Sequence, residues 1–322
     1  MNICVVGAGA IGGWMAAKLA IAGEQVRVLA RGDTLRLLRA EGIRLEEHGE
    51  EFVAKVDASD DCAGFGEQDL LFIAVKAPAL PALASELREL IGPRTLIVPM
   101  LNGVPWWFVG GEPLKSVDPD GRIAAALPFE QILGCVVHAS CYRSGSNKVV
   151  VKHADKLIIG EPQRGEASER LAGLFGLLDR AELRPDITGN IRRAIWYKLW
   201  GNATINPLSA LTRATCDRIL AEPDCCAWML DGMAELAAIG AAIGCPISES
   251  GEDRMAVTAR LGAFKTSMLQ DVEMGRPIEL EALLGAPREI ARRFGIETSA
   301  LDRLYAATKL MAESLGLLQR SS

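Results

Sequence analysis

The chain has 322 residues, 49% hydrophobic and 24% charged, with 35 Lys and Arg against 41 Asp and Glu, a formal net charge of −6. That composition supports buried cores and excludes disorder, while the negative charge argues against nucleic acid or an anionic membrane as partner. No uninterrupted apolar run reaches the roughly 18 residues of a membrane span, and no basic leader precedes the first apolar residues. The eight cysteines form no C-x-x-C pair and there are only three histidines, so the expectation is a cytoplasmic protein with reduced thiols and no metal site.

In chain order, β-rich runs at Asn2–Val6, Gln25–Ala30, Leu70–Val75, Thr95–Leu101, Ile132–Val137 and Lys156–Ile159 are predicted strands. Between them lie predicted helices at Ile11–Ala22, Thr34–Arg39, Leu80–Leu90 and Glu166–Arg180. Strands alternating with helices imply right-handed crossovers and a largely parallel sheet. A Pro/Gly-rich segment, Pro105–Arg122, interrupts the rhythm. From Gly189 onward only helical periodicity is visible, at Ile191–Ala203, Asp224–Ile243, Glu249–Glu273, Glu279–Phe294 and Ala300–Leu315. The pattern divides the chain into a sheet domain, 1–188, and an all-helical domain, 189–322.

Gly7-Ala8-Gly9-Ala10-Ile11-Gly12 fits G-x-G-x-x-G. It follows one β run, opens a helix and leads to a second β run, the setting of a dinucleotide fingerprint. Gly7 permits the turn, Gly9 the approach of a pyrophosphate, and Gly12 close packing of the helix, whose N-terminus favours the anion. The fold class expected is therefore α/β, with a Rossmann-type, doubly wound, mostly parallel sheet followed by helices. Arg31, just past the second strand, favours the 2′-phosphate of NADP(H); the alternative is a solvated Arg31 with Asp33 on the ribose. Lys76 and Asn102 follow two further strands, at the sheet edge where ligands bind; each is equally readable as a solvated loop residue.

Lys198, Asn202 and Asn206 are spaced i, i+4, i+8 and form one polar stripe among Trp196, Leu199, Trp200, Ala203 and Ile205. Pro207 is expected to bend or end this helix. The stripe is either a half-exposed polar face or a ligand surface on which Lys198 acts as general acid to a reduced ketone, its pKa lowered by partial burial. Ser267 either N-caps a helix or lines a pocket. Pro277 starts a helix with Glu279 in its first turn, where an acid complements the dipole.

Taken together, G-x-G-A-I-G, Arg31, V-K-A at 75–77, N-G at 102–103, W-x-K-L-x-x-N-x-x-x-N-P at 196–207, S-M-L-Q-D at 267–271 and I-E at 278–279 make the chain resemble the ketopantoate reductases. The resemblance covers nearly the whole length. It implies NADPH-dependent reduction of 2-dehydropantoate to (R)-pantoate, a small-molecule 2-oxo acid, in an interdomain cleft that can close. It implies Lys198 as proton donor, with Asn202, Asn206, Ser267 and Asn102 on the substrate. Glu279 then lies near the active centre and the ribose, and Lys76 and Asn102 on the cofactor side. Trp106-Trp107 departs from the family pattern and reads as a cover over the cleft, a subunit contact in a homodimer, or core of a long loop. Competing readings are a reductase of another 2-oxo acid, a cofactor-binding sensor without turnover, and a sugar-phosphate or opine dehydrogenase.

Overall fold

The computed structural model describes residues 1–110, 113–163, 165 and 168–318. The chain forms two compact units, Met1–Leu101 with Arg122–Ala194, and Asn102–Gly121 with Ile195–Ser322. Residues 102–121 thus belong with the helices, an association that the division at 188 and 189 leaves out.

In the first unit the elements run β1 (Ile3–Val6), α1 (Ala10–Ile21), β2 (Val26–Leu29), α2 (Gly32–Glu41), β3 (Ile43–Glu47), β4 (Glu50–Ala54), β5 (Asp57–Ser59) and β6 (Gln68–Ile73). They continue with α3 (Leu80–Leu87), β7 (Ile91–Pro99), α4 (Arg122–Ala126), β8 (Gly134–Arg143), β9 (Lys148–Gly160), α5 (Glu169–Arg180) and β10 (Pro185–Ile187). One sheet is parallel throughout, in the order β5-β2-β1-β6-β7. Its central strand β1 is buried on both faces, as its unbroken Ile-Cys-Val-Val run requires.

The expected single sheet is in fact two. The predicted strands at 132–137 and 156–159 lie in a second, mixed sheet, in which β8 pairs antiparallel with β9 and the order is β10-β9-β3-β4. The short Ser-Gly-Ser-Asn link between β8 and β9 permits only a hairpin, since a parallel pair needs a long crossover. An isolated parallel bridge joins Ile97 of the first sheet to Ile132, two residues before β8. Helix α1 contacts strands of both sheets. It comes so close to β9 that a Cβ on Gly13 would lie 2.7 Å from Val149 Cγ2. Ser168 caps α5 by accepting from Leu171 N; Glu166 and Ala167, the expected start of that helix, lie outside the described residues.

The second unit contains α6 (Ile191–Thr212) from Ile195 onward, α7 (Cys216–Leu220), α8 (Pro223–Ala242), α9 (Gly251–Ala259), α10 (Ser267–Glu273), α11 (Ala286–Arg293) and α12 (Ser299–Ser314). Two expectations are corrected. Pro207 does not end its helix: α6 runs on to Thr212, and burial of Leu208, Ser209 and Ala210 outweighs the lost hydrogen bond. The helix expected over 249–273 is two, broken around Gly262, whose φ is +61°. α8 is long and apolar enough to cross a membrane by length and composition, although Asp231 and Glu235 interrupt it. Glu235 accepts from Ala300 N at 2.7 Å and Leu301 N at 2.9 Å, which caps α12.

Candidate active site

In the first unit the glycine turn is shaped as its motif requires. Gly7 has φ +95°, donates to Leu29 O at 3.0 Å, and would place a Cβ 2.8 Å from Val75 Cγ1. A Cβ on Gly12 would lie 1.9 Å from Gly7 O, so α1 can pack on its own turn only with glycine there. At Gly9, the residue before α1, the nearest atom to a Cβ is Ala74 O at 4.0 Å. The middle glycine is thus the least crowded of the three. Ala8, Ala10 and Ile11 beside it are half-buried. A dinucleotide pyrophosphate fits this cradle.

Arg31 sits between β2 and α2, exposed, with its Nη2 2.8 Å from Glu86 Oε2 on α3. Asp33, the alternative ribose ligand, lies 3.5 Å from Arg36 of its own helix. Lys76 is half-buried and opens the short turn Ala77–Ala79 beyond β6, directly after the Val75 that packs on Gly7.

In the second unit three of the expected residues meet. Lys198 Nζ donates to Asn102 Oδ1 at 3.0 Å, and Asn102 Nδ2 donates to Glu279 Oε2 at 3.3 Å. Glu279 is buried, so one amide links the ammonium to a shielded carboxylate. The placement of Lys198 follows from its neighbours. Trp196 and Trp200, one turn apart, are buried and donate their indole N–H groups to Leu236 O and Met233 O of α8 at 3.0 and 2.8 Å. Lys198 lies two residues, about 200°, from each anchor, so it points away from α8. Phe108 stacks on Trp196 with ring centroids 5.8 Å apart. Trp106 and Trp107 are buried too, so this segment packs as core.

Asn202 is half-buried and Asn206 buried; neither side chain is hydrogen-bonded among the described residues. Ser267 is exposed and is not the cap: Thr266 caps α10 by accepting from Leu269 N at 3.2 Å. No hydrogen bond joins Ser267, Asn202 or Asn206 to the Lys198 set among the described residues. Glu279 precedes the helix that begins at Leu280, rather than lying inside its first turn.

Sequence reasoning missed what holds this set. Buried Asp271 of S-M-L-Q-D accepts from Arg276 Nε at 3.0 Å and fixes the turn leading to Glu279. A five-residue π turn, Glu281–Gly285, follows Glu279, and its Ala282 O accepts Val104 N–H at 2.8 Å. The signal for it was Gly-Ala-Pro at 285–287, in the middle of an otherwise helical run.

Comparison with known proteins shows the family. The model described as "Ketopantoate reductase PanE/ApbA" matches residues 3–164, and "Ketopantoate reductase PanE/ApbA C terminal" matches residues 190–312. A 2-dehydropantoate 2-reductase of Mesorhizobium japonicum is 38% identical, over 98% of this chain and 99% of its own. The chain belongs to the ketopantoate reductase family. Among solved structures, a protein of Ralstonia solanacearum MolK2 assigned as a ketopantoate reductase is 49% identical, with TM-score 0.95, over 98% of this chain and 99% of that one. A 2-dehydropantoate 2-reductase from Methylococcus capsulatus is 28% identical, with TM-score 0.83, over 100% and 99%. As a member of this oxidoreductase family the chain takes a nicotinamide dinucleotide and a small 2-oxo acid.

Proposed function

We propose that this protein is a 2-dehydropantoate 2-reductase that uses NADPH. The first unit holds the dinucleotide, with the pyrophosphate at Gly7, Ala8, Gly9, Ala10, Ile11 and Gly12, the 2′-phosphate at Arg31, and Lys76 beside them. The second unit carries the proton donor and the substrate-binding side chains. When bound, the cofactor supplies a hydride to C2 of the 2-oxo acid. Lys198 hydrogen-bonds the keto oxygen, stabilises negative charge as it develops there, and gives it a proton, which leaves a 2-hydroxy acid. Asn102 orients the Lys198 ammonium, and Glu279 opposes its charge through that amide. The unengaged amides of Asn202 and Asn206, with the Ser267 hydroxyl, bind the substrate's carboxylate and hydroxyl. The reading places the enzyme in the reducing cytoplasm, where its eight free thiols persist.

The observation that supports this reading most is the hydrogen-bonded run Lys198–Asn102–Glu279, beginning on a helix whose Asn202 and Asn206 side chains make no hydrogen bond among the described residues. The test is NADPH oxidation at 340 nm with 2-dehydropantoate and a panel of other 2-oxo acids. The expected outcome is a clear preference for 2-dehydropantoate, with kcat/KM of ~10⁴ M⁻¹s⁻¹ or more. Lys198→Ala should lower kcat about 100-fold or more. Equal turnover across the panel would refute the substrate, and an effect of Lys198→Ala on KM alone would refute the proton donor.

A further inference from the structure

The residues after Glu279 leave α-helical hydrogen bonding at one defined place. Ala286 N–H donates to Glu281 O, five residues back, and so is not spent on Ala282 O, four back. The donor five residues after Ala282 belongs to position 287, and that residue is proline, which has no N–H. Both helical donors therefore bypass the Ala282 carbonyl, and Val104 N–H takes it at 2.8 Å. The intervening loop comes in very close. Gly103 has φ +79°, and a Cβ there would lie 2.4 Å from Ala282 O and 2.6 Å from Ala282 C. Gly285 makes room in the same turn, since a Cβ on it would lie 2.0 Å from Glu281 Oε2. The other oxygen of that carboxylate accepts from Tyr305 Oη at 2.7 Å. Asn102 is the residue directly before this pinned pair.

We infer that Pro287 and Gly103 are positioning residues. By withholding an N–H, Pro287 leaves the Ala282 carbonyl open to Val104. That bond, allowed by Gly103, holds Asn102 between Lys198 and Glu279. A proline in a helix is ordinarily a local cost, and here it frees a backbone acceptor beside the proton-transfer set. The consequence for turnover rests on the proposed reductase role; the consequence for the Val104 hydrogen bond does not.

The experiment compares the intact wild-type protein with Pro287→Ala, Gly103→Ala and Asn102→Ala. It measures amide exchange at Val104, kcat, KM, NADPH affinity and the thermal midpoint. Pro287→Ala supplies an N–H that competes for the Ala282 carbonyl. Exchange at Val104 should speed up about 10-fold or more, and kcat should fall about 10-fold, as misplacement of a reacting group predicts. NADPH affinity should hold, and the thermal midpoint should stay level or rise, because alanine is the better helix residue. That split between activity and stability is what a merely structural proline would not give. Gly103→Ala should cost more turnover; should it fail to fold, Pro287→Ala still decides. Wild-type exchange and wild-type kcat in Pro287→Ala would overturn the inference, as would a kcat loss that follows a lowered midpoint. If Asn102→Ala keeps full turnover, the role given to Asn102 falls and the inference with it. If Asn102→Ala loses turnover while Pro287→Ala does not, only the inference falls.

Discussion

Arg31 was legible as the residue past β2, but its partner was not. Glu86 lies 55 positions away on α3, and nothing local in either segment signals their meeting at 2.8 Å. The pair has a consequence for the proposed cofactor. Arg31 comes from the β2 side of β1 and Glu86 from the helix after β6, on the other side of β1, where the strand order turns. A 2′-phosphate on Arg31 must displace or oppose the Glu86 carboxylate. Exposed ion pairs of this kind are worth about 0.2–1 kcal/mol. Glu86→Gln should therefore tighten NADPH binding by roughly 1.5- to 5-fold and leave NADH unchanged. Fluorescence titration with both cofactors checks this, and an equal change for the two would remove Glu86 from the account. Arg31→Ala should weaken NADPH far more than NADH in either background.

Single elements were legible where one physical signal dominated. The apolar runs of β1, β2, β6 and β7 and the Lys198 stripe of α6 belong to this class. The β3–β4 hairpin was missed because its strands are rich in Glu; the signal was His48-Gly49, both at positive φ, in a two-residue turn. α11 shows how an element gains a second task. Its Glu289 accepts from Lys115 N at 3.0 Å, Ser116 N at 2.8 Å, Ser116 Oγ at 2.6 Å and Arg293 Nη2 at 2.7 Å. Burial pushes this carboxyl up, but the hydrogen bonds from Ser116, Lys115 and Arg293 outweigh it and hold the pKa below the ordinary 4.5. A carboxylate with a depressed folded-state pKa contributes stability above its unfolded value and loses it as pH falls through the folded one. Glu289→Gln should thus lower stability at neutral pH by about 1–2 kcal/mol and flatten the loss of stability below pH 4.5. Urea unfolding at stepped pH measures both, and parallel curves for the variant and wild type would exclude Glu289 from the acid limb.

At the scale of the whole molecule, the division into sheets and helices could be read because periodicity changes along the chain. The membership of 102–121 could not, because it rests on contacts such as Val104 with Ala282 that span most of the sequence. The second sheet was hidden for the same reason, since β3 finds β9 more than 100 residues away. The cysteines give a test on this scale. Burial pushes the Cys4 and Cys141 thiols up to about 12, and the Cys62 and Cys216 thiols up to about 11. Cys4, Cys62, Cys135, Cys216 and Cys245 are buried, and Cys141, Cys225 and Cys226 are half-buried. Thiolate is the reactive form, so a raised pKa and burial act in the same direction. At pH 8 without reductant, a thiol reagent should modify Cys225 and Cys226 first and leave the others slow, and all eight should react in guanidinium. Fast reaction at Cys4 in the native protein would contradict its burial. A total below eight in denaturant would reveal a disulfide and overturn the reduced state on which the proposed cytoplasmic location rests.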